Sequence, residues 1–291
     1  MTRPTIIRIT VARAAVARAT VRRRLSRSLL AAAAMIAAAG VASTPAPLAA
    51  QAAAVAPDVA GARALAERVG RSGSGTVRFS FAAREGVCGT GRYAVARASS
   101  EVEWESDCES GPVRLSLTVR DGAVTEVRSY IGGRWRADLP STDLGTVPAP
   151  AAAAYLLDLA ARLPAGPATD AVFPATLADG VTTWPALLRL ARDESRPERV
   201  RQQAVFWVGQ AAGEEASRGL TALVDERDAD LKIREHAVFA LSQRAADESV
   251  PALIRIARTS PSPRLRKRAI FWLGQSKDPR ALAYFEEVLG K

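Results

Sequence analysis

Between residues 76 and 136 apolar and polar positions alternate along the chain. Val77, Phe79 and Phe81 are separated by Arg78 and Ser80, and Val113, Leu115, Leu117 and Val119 by Arg114, Ser116 and Thr118. A period of two marks strands with one face buried. With weaker stretches at Arg92–Ala96 and Glu101–Glu105, this predicts a small antiparallel sheet of about four or five strands. Asp121-Gly122 marks a hairpin. A two-residue loop would put Val119 on a face with Val124, Glu126 and Arg128. A three-residue loop, Arg120-Asp121-Gly122, groups it with Ala123, Thr125, Val127 and Ile131. The second register buries more apolar groups and predicts Gly122 in the left-handed conformation of a bulged turn.

On either side the period is helical. Asp58 to Val69 reads as a short helix with Asp58 as N-cap, ended by the Gly/Ser-rich stretch Gly70–Gly75. From Ala151 the chain is repetitive: Ala171-Val172-Phe173, Ala204-Val205-Phe206, Ala237-Val238-Phe239 and Ala269-Ile270-Phe271 recur at 33, 33 and 32 residues. The last three extend into VRQQAVFWVGQ, IREHAVFALSQ and LRKRAIFWLGQ. Shorter amphipathic segments precede them: WPALLRLAR, RGLTALVDE and VPALIRIAR. Two helices per unit at a fixed period of this size predict an α-solenoid. In the second helix, Val200, Ala204, Trp207 and Val208 form one apolar stripe while Val205 and Phe206 fall off it. A helix apolar on two sides needs neighbours on two sides, so the pairs should stack. The recurring Ala belongs where two helix axes come closest, and Ala171, Phe173, Ala204, Phe206, Ala237, Phe239, Ala269 and Phe271 are expected in the core.

The fold class predicted is therefore α+β, mostly α, with a C-terminal α-solenoid preceded by a small antiparallel β-module. The boundaries are 1–52 for a signal peptide, 53–72 for a short helix and linker, and 73–138 for the β-module. A linker, 139–150 (LPSTDLGTVPAP), then leads to the solenoid, 151–291. Pro174, which follows Phe173 where the other units continue the helix, points to a modified first unit. Asp278-Pro279 starts a lone last helix, with Glu286 and Glu287 outward as a polar cap.

Over about residues 151–291 the pattern x-P-A-L-L, a polar turn, then [VIL]-R-x-x-A-[VI]-F-x-[VL] resembles the HEAT-like repeats of bacterial type, the short version first associated with phycobilin lyases. The resemblance implies a right-handed superhelix whose second helices line the concave face. It also implies that the Arg after the first apolar position of each second helix (Arg201, Arg234, Arg266) pairs with an Asp of the preceding turn. Asp193 and Asp228 or Asp230 suit the first two, while TSPSP before Arg266 has no acid.

Charge changes the picture less than it first suggests. The formal net charge is +10, which by itself would point to nucleic acid or an anionic surface. Eight of the 40 Lys and Arg residues are arginines within the first fifty positions, a stretch without Asp or Glu, and the remaining 32 nearly balance the 30 acids. Those fifty residues have the layout of a secretory signal: an Arg-rich start, an apolar run Leu29–Val41 and an A-x-A site at Ala50-Gln51-Ala52. The run is shorter than the roughly 20 residues of a spanning helix. The expectation is a soluble mature chain from near Ala53, periplasmic or secreted, with no membrane span; a start nearer Val21 and twin-arginine export through Arg22-Arg23-Arg24 are alternatives. Cys88 and Cys108 are the whole cysteine inventory, and in an oxidising compartment they predict a disulfide, with two buried thiols as the alternative.

Candidate chemistry is sparse. His236 is the one histidine, so no Ser-His-Asp set of the usual kind and no H-E-x-x-H motif can be assembled. HEAT-like repeats also house di-iron hydroxylases that use several His-Glu pairs, whereas here a single pair, Glu235-His236, stands reversed. No cysteine lies in the array, which speaks against tetrapyrrole-lyase chemistry. The expectation is a non-enzymatic scaffold for a protein partner, without cofactor or metal and without nucleic acid. The partner-binding residues expected on the inner surface are Gln202, Gln203, Glu235, His236, Lys267 and Arg268, running from neutral through mixed to basic. A repeat-based lyase, or a β-module that binds while the repeats serve as a rigid mount, are the competing readings.

Overall fold

The computed structural model describes residues 55–89, 94–96 and 108–290, so the expected signal segment and the weak strand at Glu101–Glu105 lie outside the described residues. Helix α1 (Val59–Arg71) opens the fold, and the Asp58 carboxylate caps it by accepting from the Gly61 amide at 3.0 Å. Strands β1 (Gly75–Phe81), β2 (Val87–Gly89), β3 (Ala94–Ala96), β4 (Glu109–Ser110), β5 (Val113–Arg120), β6 (Ala123–Ile131) and β7 (Thr142–Thr146) follow. Cys88 and Cys108 are joined as a disulfide, next to the pairing of β2 with β4.

One sheet has the order β6-β5-β1-β7 and a second, smaller one β3-β2-β4. The pairs are antiparallel except β1 with β7, which is parallel. Strand β7 lies inside residues 139–150, expected to be a linker. Its sequence TDLGT shows no alternation because it covers a sheet edge and leaves most of its side chains exposed.

The hairpin between β5 and β6 departs from the expected register. Arg120 faces Ala123, so the loop is the two residues Asp121 and Gly122, with φ of 51° and 76°. Positive φ at both central positions is the turn that matches strand twist. Left alone it would bury one residue parity of β6, but the register shifts after Val119↔Val124 to Thr118↔Glu126, leaving Thr125 as the extra residue of a bulge. Val124 before the bulge and Val127 and Ile131 after it are all buried, while Ala123 and Thr125 are exposed.

The array consists of α2 (Ala149–Arg162), α3 (Ala165–Ala175), α4 (Trp184–Arg192), α5 (Glu198–Gly209), α6 (Glu214–Asp225), α7 (Leu231–Ser242), α8 (Ala246–Thr259), α9 (Pro263–Gly274) and α10 (Pro279–Leu289). Helices pair as α2/α3, α4/α5, α6/α7 and α8/α9, and the second helices α3, α5, α7 and α9 lie side by side in sequence order. Ala171, Ala204, Ala237 and Ala269 are fully buried, as are Val172, Val205 and Val238. Gly209 has no room for a side chain: a Cβ there would come within 3.0 Å of Ala240. Pro174 sits in the last turn of α3, which ends one residue later.

Sheet and array share one hydrophobic core. Phe79 of β1 meets Tyr155 of α2 with ring centroids 6.3 Å apart, and burial pushes the Tyr155 phenol well above its usual range. Backbone bonds stitch the junction: Val55 N donates to Gly180 O (2.7 Å), Arg84 N to Leu177 O (2.8 Å), Asp179 N to Ala82 O (3.0 Å) and Val147 N to Ser80 O (2.8 Å).

The recurring arginines do not find the acids expected of them. Arg201 Nε donates to Ala191 O at 3.0 Å, Arg234 Nε to Val224 O at 2.9 Å and Arg266 Nη1 to Ser260 O at 2.8 Å. Each acceptor lies at or near the C-terminal end of the first helix of the same pair, where carbonyls lack an intrahelical donor. Only Arg201 adds a carboxylate, Asp230 at 3.2 Å, and that residue N-caps the following helix α7. Asp193 turns instead to the Ser195 amide and hydroxyl. The ladder is thus complete at Arg266 although no acid precedes it.

Replacing Arg234 by Leu leaves the buried Val224 carbonyl without its donor, and stability measured by urea unfolding should fall by about 2 kcal/mol. Reduction of Cys88–Cys108, or the double Ala variant, should cost about 3 kcal/mol on the same measurement, since the loop it closes spans 20 positions.

Candidate functional site

The exposed side of the second helices forms a ridge of aromatic residues packed on one another. Phe173 of α3 stacks on Trp207 of α5 at 4.8 Å, and Phe239 of α7 meets Trp272 of α9 at 5.3 Å. Phe206 and Phe271 stand edge-on against the neighbouring Trp207 and Trp272, at 5.1 and 5.0 Å. The four phenylalanines expected in the core are therefore not core: Phe173, Phe206 and Phe239 are half-buried and Phe271 is 52% exposed. The alanine, not the phenylalanine, occupies the closest approach. The indole Nε1 atoms of Trp207 and Trp272 are buried without a hydrogen-bond partner. The stacking tryptophans were legible in FWVGQ and FWLGQ but not as ridge residues, because helical spacing alone cannot separate a core stripe from a groove lining.

Beside this ridge lie the six residues expected to face a partner. Gln202 and Gln203 are half-buried, and Gln202 Nε2 donates to Glu198 Oε1 at 2.7 Å. Glu235 is held by Arg264 through two bonds of 2.8 and 3.0 Å. Both of these side chains are committed inside the protein, so Gln203, His236, Lys267 and Arg268 are the free members of the set. Equivalent positions in successive units read Asp170, Gln203, His236 and Arg268, a passage from acidic to basic along the array. Burial raises the Asp170 carboxyl pKa, with Arg199 acting against it.

Sequence inspection missed the ion pairs that tie one second helix to the next: Lys232 to Glu198 at 2.8 Å and Arg264 to Glu235. On the first helices a parallel set joins Arg192 to Glu226, Arg255 to Asp225 and Arg258 to Glu287. Except for Glu235, whose side chain is largely buried, the partners are solvent-accessible and such pairs are individually worth little. Among the described residues no three His, Cys, Asp or Glu side chains gather in a metal-sized group, and no helix is long and apolar enough to cross a membrane.

Stacked helix pairs whose second helices lie side by side and carry an aromatic and polar ridge define an α-solenoid. Residues 219–291 match the family of HEAT repeats, which makes that part of the array HEAT-like. No curated relative matches the chain.

His236 lies edge-on to Phe239 at 5.7 Å, and its pKa is lowered, first by burial and then by the Arg268 guanidinium. A histidine depressed in the folded state binds its proton more readily once unfolded, so it lowers stability as the pH falls through the unfolded value of about 6.5. Between about pH 7 and pH 5 the denaturation midpoint of the native chain should therefore drop more than that of a His236→Asn variant; identical slopes would show that His236 is not desolvated.

Proposed function

We propose that the protein is an exported scaffold that holds a protein partner on the concave face formed by its second helices, with no catalytic step of its own. The observation that carries this reading is the ridge itself: half-buried Phe and Trp side chains beside a free polar row, Gln203, His236 and Arg268. Aromatic and arginine side chains are the types that dominate binding energy at protein interfaces. Their stacking on one another holds them in place beforehand, so little rotamer freedom remains to be lost on binding. Export rests on the Arg-rich start, apolar run and A-x-A site of the first 52 residues.

The shared core of sheet and array supports a mount in which the sheet stiffens the first helix pairs, rather than a separable binding unit. The match of residues 219–291 to HEAT repeats adds that this architecture suits protein partners.

Capture from the exported fraction with the native chain and with a Gln203, His236, Arg268 triple-alanine variant tests the reading. The native chain is expected to retain a partner that the variant loses by at least tenfold, and equal recovery by both would remove the concave face from the account.

A further inference from the structure

Two seams between second helices are closed in the same manner. Where α7 meets α5, Val205 is fully buried, Gly209 lets the Ala240 backbone approach, and Lys232 reaches back to Glu198. Where α9 meets α7, Val238 is fully buried, Trp272 covers Phe239, and Arg264 reaches back to Glu235. In each case the arriving helix brings a cation in its first turn and a packing residue eight positions later: Lys232 with Ala240, Arg264 with Trp272.

The far side of α9 repeats the receiving half of this arrangement and has no arriving helix among the described residues. Lys267, Ile270, Phe271 and Gly274 fall at i, i+3, i+4 and i+7, in register with Gln202, Val205, Phe206 and Gly209 of α5. Ile270 is 41% exposed where Val205 and Val238 are sealed. A Cβ at Gly274 would meet only the Phe285 ring edge at 3.9 Å, leaving open the space that Ala240 fills at Gly209. Helix α10 carries Glu286 and Glu287 outward as expected, but Leu282, Val288 and Leu289 stand exposed beside them.

The charge on this side is the reverse of that on the closed seams. Where α7 offers Glu235 to the cation of the arriving helix, the equivalent position of α9 is Lys267, exposed and in no ion pair among the described residues. We propose that this open side of α9 is a docking surface for one amphipathic helix of a partner protein, bearing Asp or Glu in its first turn and an aromatic residue eight positions on. Charge separates this occupant from the two nearest at hand. A second copy placed with its own α9 against this one would set Lys267 against itself, and the first fifty residues of this chain hold eight arginines and no acid. The inference stands apart from the concave-face reading, because Ile270 and Gly274 belong to the end of the array and not to its polar row.

The test uses the full chain and two synthetic helical peptides with a Trp eight positions after either Glu or Lys, followed by fluorescence anisotropy. The native chain should bind the Glu peptide about fivefold more tightly, since one exposed charge pair is exchanged for a like-charge contact. Lys267→Glu should reverse the preference. Ile270→Asp, in chains whose helical content and unfolding midpoint match the native chain, should abolish binding of both, and Gln203→Ala should leave it unchanged, so that this claim and partner capture fail separately. Equal binding of the two peptides, or binding of neither, overturns the proposal; so does self-association lost in Ile270→Asp, which would assign the face to a second copy.

Discussion

A helix that is apolar on two sides cannot be satisfied by one neighbour. In this protein the condition recurs every 32 or 33 residues and dictates almost everything else. Each second helix buries one stripe against its own hairpin partner and a second against the following second helix, which is why Val172, Val205 and Val238 are sealed. Stacking of this kind has no natural stop, so the ends of the array become the places where the fold must do something different. At the N-terminal end the answer is a sheet. Strands β1 and β6, with α1, cover the Ala-rich helix α2 and its partner α3, and the core runs across the boundary without a break.

Once the helices are stacked, their ends need partners as much as their sides. The carbonyls that close each first helix face inward at the turn, and the guanidinium of Arg201, Arg234 or Arg266 meets them from the second helix. A fork of five donors suits this task better than an ion pair, since it serves backbone acceptors that no side-chain carboxylate could satisfy. Arg244 does the same for another turn. Buried between α5, α6 and α8, it donates to Gly209, Ala211 and Gly213 carbonyls, to the Ser217 hydroxyl and to Glu248. The turns of the array are thus held by arginines, and the sheet by a disulfide.

How much of this could be read from the sequence follows from where the signal is periodic. The repeat, the buried alanines, the cap Asp58, the start of the last helix at Asp278-Pro279 and the left-handed Gly122 all rest on local chemistry or on strict spacing, and all are present. The misreadings share a different origin. Strand β7 is an edge strand whose side chains mostly face water, so no alternation betrays it. The hairpin register depends on the bulge at Thr125, which repairs the phase two residues after the turn and cannot be inferred from the turn itself. Phe206 and Phe271 carry the same spacing as core residues, yet sit at the margin of the stack where packing on one side is open. The pairing of the arginines with acids was what the family resemblance implied, whereas a vacant carbonyl at a helix end leaves no mark in a sequence. For the candidate site, the polar row was legible as positions just ahead of the repeating Ala, but the commitment of Gln202 and Glu235 to other side chains required geometry.

The position eight residues into each arriving helix is Trp in α5 and α9 but Ala240 in α7. Indoles stack into the first and third junctions along the ridge, while at the middle one a side chain added to Gly209 would come within 3.0 Å of Ala240. The array is therefore not uniform along its length: two of its three junctions are filled by stacked rings and the one between them by close approach of the helices themselves.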